Sequence, residues 1–208
     1  SPLVERGVAL MHNMMYPEAQ FAFSMADDVD ANCAMSYWGQ AMVMIHPLWG
    51  DDLSAADYKR GLELTRRGQS IENISERERN FLKTTEAFYL ESADLNMVNG
   101  FAKMSAIWED ISNKMPDDMD AMAFNALFKV AISKNDTERL KAGQIALDVL
   151  KVMPNHPGGH HYVIHAYDTA DLAIGALEVA DHYGTITPKV PHASHMMTHT
   201  YTRLGRWD

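Results

Sequence analysis

Histidines stand at positions 161 and 165 and again at 195 and 199, four residues apart within each pair. That spacing sets both imidazoles of a pair on one face of a helix. A shift of 34 residues carries His161 onto His195 and His165 onto His199, and it carries Tyr167 onto Tyr201. A period of this length is that of a helix–turn–helix unit that stacks into a solenoid. The same histidine face is therefore expected on consecutive, stacked helices, where imidazoles reaching from both could share a metal ion.

Helical geometry enlarges the set. His161, His165 and Asp168 follow an i, i+4, i+7 face, and His192, His195 and His199 an i, i+3, i+7 face. Packed helices have axes about 8–10 Å apart, within reach of a metal bound at about 2.0–2.1 Å from each nitrogen. Imidazoles with one carboxylate suit zinc, copper, nickel or non-haem iron, not magnesium or calcium. Two of the histidines with Asp168 also make the ligand set of a non-haem iron centre. Six groups exceed one tetrahedral shell, so either some stand behind the ligands or two ions bind. Arg203, one turn beyond His199, can meet a substrate anion or complement its helix C-terminus. His12 and His156 are weaker candidates. His46, His156, His160 and His182 read as surface or satisfied core residues.

The composition limits the function classes. A formal charge of −10 and the lack of a basic run leave nothing to follow a phosphate backbone. No apolar stretch approaches the length of a membrane span. The single cysteine, Cys33, rules out an intrachain disulfide and reads as a small buried apolar residue. The 15 methionines lie mostly on core faces, with Met196 and Met197 singled out by their place beside His195. The HPGG run at 156–159 starts a helix, and its free N–H groups could also receive an anion. Nucleophile elbow, Walker loop, dinucleotide fingerprint and HExxH motifs are absent.

The elements that must position these residues read as helices from end to end. Apolar periodicity marks segments beginning near residues 4, 17, 33, 54, 74, 97, 120, 136, 158, 170 and 192. Pro17 suits the first turn of the second helix, Ser75 and Glu78 form a capping box, and Asp136 is the expected N-cap of the eighth helix. Residues 1–208 read as one continuous helical domain. The opening SPLVERGVALMHNMMY and the closing RLGRWD both read as cut in mid-pattern, as in a fragment or a processed precursor.

Four joints repeat in kind: ADDVDANCAMSYWG, NKMPDDMDAMAF, KVMPNHPGGHHY and ITPKVPHASHMM. With the aromatic and Gly39 of YWGQA, Ala142 with Pro154, and Tyr167, Ala176 and Pro188, the chain resembles a tetratricopeptide-repeat protein. The stretch 51–92 departs from the period. The blocks MHNMMYPEA, CAMSYWGQAM, HPLW, NHPGGHHYVIHAYD and HASHMMTHTYTRLGRWD resemble a His-rich bacterial group of such proteins. The resemblance implies an all-α, right-handed solenoid of about five helix pairs. Its concave groove would be lined by Gly158, His161, His165, Asp168 and Thr169, then by His192, His195, His199, Thr202 and Arg203. It also implies either a cytoplasmic or an exported location. Two functions follow from that groove: a transition-metal site, with or without catalysis, or a metal-free scaffold for a peptide or partner protein.

Overall fold

Caps and turn residues divide the chain into eleven α-helices and one 3-10 turn, with no strand among the described residues, in keeping with an all-α reading. The computed structural model describes residues 1–207. In chain order the helices are α1 (Pro2–His12), α2 (Tyr16–Val29), α3 (Ala34–Met42), α4 (Ala55–Gln69), α5 (Glu76–Glu91) and α6 (Met97–Lys114). They continue with α7 (Met119–Ile132), α8 (Asp136–Val152), α9 (Pro157–Ala166), α10 (Leu177–Ile186) and α11 (Pro191–Arg203). None is long and apolar enough to cross a membrane. Pro17 lies in the first turn of α2, and the Ser75–Glu78 capping box opens α5. The cap of α8 is Asn135, whose side chain accepts the Glu138 N–H, and not Asp136. Asp136 is instead a negative charge in the first turn, where the helix dipole favours it.

The helices gather into two compact units, one made of Ser1–Met11 and Met15–Ile111, the other of His12–Met14 and Ser112–Asp208. In the first, α3 is buried along its whole length. Trp38, Phe81 and Trp108 meet edge to face, and Trp38 Nε1–H donates to Thr84 Oγ1 at 3.3 Å. The Phe23 ring lies flush on the backbones of Gly7 and Gly39, so the YWGQA glycine is a packing residue. Cys33 is half-buried at the N-cap of α3, more open than its apolar reading implied.

In the second unit, α9 packs against α7, α8, α10 and α11, and residues 158–164 are all buried. A helix enclosed on every side must present its polar groups to partners inside the protein. Two expectations shift here. Helix α9 ends at Ala166, and Tyr167 leaves helical geometry while the Thr169 N–H turns back to the Tyr167 carbonyl at 2.8 Å. Asp168 therefore lies in a turn beyond the helix and not on its i+7 face. Asp and Thr favour such local turns over helix. The segment 170–176 is not α-helical either. It forms turns and a 3-10 turn, Ala173–Ala176, before α10 begins.

The closest approach near the site is between Gly143 of α8 and the ring of Tyr167, where an added Cβ would sit 2.3 Å from a ring carbon. Gly→Ala in an open helix would stabilise by roughly 0.5–1 kcal/mol, but overpacking costs about 1–3 kcal/mol. Gly143→Ala is expected to lower the denaturant midpoint, and an unchanged or raised midpoint would show that Tyr167 yields freely.

Candidate metal centre

Two groups of three donors gather inside the second unit, and their positions follow from the helices. Helix α9 starts at Pro157 and α11 at Pro191, so the 34-residue shift seen in the histidines is also the shift between helix starts. On α9, His161 and His165 stand one turn apart with their Nε2 atoms 3.1 Å from each other. From the first turn of α11, His192 brings its Nε2 to 3.1 Å from the Nε2 of His161. Bonds of about 2.0–2.1 Å at angles of 90–110° put neighbouring ligand nitrogens roughly 2.9–3.4 Å apart. The observed separations lie in that range.

The remaining residues expected at the site are close by, but not on the same point. His195 and His199 pair with each other, Nε2 to Nε2, at 3.0 Å. His199 Nδ1–H donates to Asp168 Oδ2 at 2.9 Å, and Arg203 Nε–H donates to Asp168 Oδ1 at 2.9 Å. Both oxygens of Asp168 thus face partners in the protein, and the anion that Arg203 meets is internal. Met196 is fully buried, and Met197 lies against Gly184, so both serve packing. His160 is a satisfied core residue: Nε2–H donates to the Pro154 carbonyl at 2.8 Å. His182 meets Asn155, and His46, in the first unit, meets Asp51 and the Val43 carbonyl.

A second cluster joins the two weaker candidates, His12 and His156, to Asp120, which sequence spacing did not single out. Asp120 Oδ1 lies 3.3 Å from His12 Nε2 and 3.4 Å from His156 Nε2. The His12 ring stacks on Phe124, and its Nδ1 is 2.9 Å from the Tyr162 hydroxyl. Gly158 has no side chain because the His12 ring occupies that space, where a Cβ would come within 2.6 Å of Nδ1. The neighbouring Gly159 N–H donates to His156 Nδ1 at 3.2 Å. The HPGG run is thereby a cap and a packing surface. A signal for this cluster existed in the acidic MPDDMD joint and in His156 as an N-cap, but which joint faced which lay outside the reach of spacing.

Both clusters bring three donor atoms within 4.8 Å of one another. Their tautomers separate them. His156 accepts a hydrogen bond on Nδ1, so its proton is on Nε2 and points at Asp120. His12 likewise offers Nε2–H to Asp120 and takes the Tyr162 O–H on Nδ1. Burial alone would raise the Asp120 carboxyl, but the two imidazole N–H donors outweigh it and hold the group well below the usual carboxylate range. This cluster is a carboxylate clamped by two donors, with its lone pairs already used.

The other cluster is the reverse. His161 Nδ1 lies 2.6 Å from the carbonyl oxygen of His12, so the proton is on Nδ1 and the lone pair is on Nε2. A single in-plane lone pair at His161 then faces two further Nε2 atoms at equal distance. One cation would satisfy all three.

Desolvation keeps the His161 imidazole neutral, with its pKa far below the ordinary value, and the nearby His165 and His192 add to this. Burial, then the neighbouring His199 and His192, brings His165 down to about 3. Burial and the neighbouring His195 bring His192 down to about 4. Neutral imidazoles are the form that ligates metal.

Below pH 6.5 the unfolded chain takes up protons that the folded chain refuses, so stability is complete above 6.5 and falls as pH drops toward 4 and 3. His165 alone accounts for about 1.4 kcal/mol per pH unit in that window. The denaturant midpoint of metal-free protein is expected to fall between pH 7 and pH 5, and His165→Gln to flatten the slope. A midpoint independent of pH over that range would contradict neutral, buried imidazoles.

No family model and no curated protein matches the chain.

Proposed function

We propose that this is a metal-binding helical-repeat protein of the tetratricopeptide type, which holds a transition ion on the Nε2 atoms of His161, His165 and His192. The observation that carries the proposal is the geometry at His161. Its Nε2 is 3.1 Å from each of the other two, while its Nδ1–H is fixed on the His12 carbonyl. An N–H held by a backbone carbonyl behind a metal-ligating imidazole is the usual way such ligands are oriented. Repeat character is supported by the 34-residue recurrence of helix start and histidine face in α9 and α11.

Three neutral imidazoles favour zinc or copper. An iron centre of the two-histidine, one-carboxylate kind would need Asp168, whose oxygens are engaged by His199 and Arg203. Three protein ligands leave a further position for a water or a substrate atom, as in catalytic zinc sites, where the bound water ionises near pH 7. A polarised water in a partly buried pocket of imidazoles is suited to hydrolysis or hydration.

Protein purified without a histidine tag is expected to carry about one equivalent of zinc or copper by elemental analysis and to be stabilised by adding that ion. At a free concentration 1,000 times Kd, the gain is about 4 kcal/mol. His161→Ala and His192→Ala should each weaken binding at least 10–100-fold, the loss typical of removing even a partner behind a ligand. Protein with no bound transition metal and no thermal shift on adding zinc or copper would sink the proposal.

A further inference from the structure

The three-imidazole cluster leaves unused a second set of donors on α11. His195 and His199 are one turn apart, with Nε2 atoms 3.0 Å from each other. This again is the separation of two ligands on one ion at bonds of about 2.0–2.1 Å. Asp168 accepts the Nδ1–H of His199 at 2.9 Å, which leaves Nε2 as the ring atom that can face a metal. A carboxylate behind an imidazole fixes the ring and raises its basicity toward a metal. Arg203 holds the other oxygen of that carboxylate and keeps it ionised, with the Asp168 carboxyl brought down to about 2 against the effect of burial. His195 is exposed and His199 half-buried, so a hydrated ion has direct access to the pair.

The pair also adjoins the first cluster. Ring centroids of His165 and His199 are 6.0 Å apart, and those of His192 and His195 are 5.7 Å apart. We propose that His195 and His199 hold a second transition ion beside the first, making a two-ion centre of five imidazoles. This rests on the single-ion reading of His161, His165 and His192. The two ions differ in kind. The inner one has three protein ligands and is the tighter. The outer one has two, so its remaining positions are open to water or to an anionic oxygen ligand, and it exchanges with the medium. Asp168 is a positioning residue for the outer ion alone.

The test uses untagged, chelator-stripped protein titrated with Zn(II), read by native mass spectrometry and by competition with a chromophoric chelator. Wild type is expected to take two ions, the second more weakly. His195→Ala combined with His199→Ala should take one ion at unchanged affinity, since neither residue is a ligand of the inner ion and both lie in a helix that alanine favours. Asp168→Asn should weaken only the second ion, about 10–100-fold. With Cu(II), electron paramagnetic resonance should show a coupled pair in wild type and an isolated ion in the double variant. A wild type that takes one ion, with the same affinity in the double variant, overturns the second site and leaves the first. A second ion that survives the double variant overturns the assignment to these residues. A wild type that takes no ion sinks both readings.

Discussion

The hydrogen bond from His161 Nδ1–H to the backbone carbonyl of His12 joins residues 149 positions apart and sets the chemistry of everything around it. By holding the proton on one side of the ring it leaves a lone pair on the other, and that lone pair faces two more imidazoles. Were the proton on Nε2 instead, the same three rings would form an ordinary hydrogen-bonded cluster with one donor directed at its neighbours. The acceptor is a main-chain oxygen, which neither titrates nor rotates. Its position is held in turn by the His12 side chain, which is stacked on Phe124, bonded to Tyr162 and Asp120, and fitted over the bare backbone of Gly158. Packing thus decides a protonation state, and the protonation state decides what the site can bind.

The two buried clusters show how little residue type alone determines. Histidines with an aspartate nearby make up both neighbourhoods. Around Asp120, every imidazole N–H is spent on the carboxylate and the opposite nitrogens are acceptors for a hydroxyl and an amide. Around His161, one Nδ1–H is spent on a backbone carbonyl and the Nε2 atoms of the three rings face one another. A half-buried carboxylate is satisfied by donors, whereas neutral imidazoles whose Nε2 atoms converge could hold a cation. The difference lies in which nitrogen is satisfied by a backbone group, and a sequence pattern does not encode that directly.

Much of the fold was legible because it is local. Helix periodicity, the Ser75–Glu78 box and Pro17 in a first turn depend on residues a few positions apart, and the structure has them where spacing puts them. The faces of α9 and α11 were legible for the same reason, and so was the grouping of His192 with the repeated pairs. Asp168 was placed on a helix that in fact ends two residues before it, because Tyr167 and Thr169 close a turn that periodicity does not register. The roles of His12, Asp120 and His156 were hidden for a different reason. They come from three separate joints, and each is meaningful only through contacts far along the chain, 108 positions from His12 to Asp120 and 36 from Asp120 to His156. The HPGG glycines, read as helix initiation or an anion site, proved to be space left for a histidine ring and for Leu150.

The membership of His12–Met14 in the second unit has a consequence for how the protein is made. On a ribosome adding roughly 5–20 residues per second, the 149 residues between the two partners take about 7–30 s to appear. During that interval the carbonyl at the end of α1 lacks the imidazole that will use it. Once made, the His161 ring has both tautomers open to it until it meets that carbonyl. On the proposed reading, ion capture at this cluster would therefore be a late event in the life of a nascent chain, after the docking of its early carbonyl.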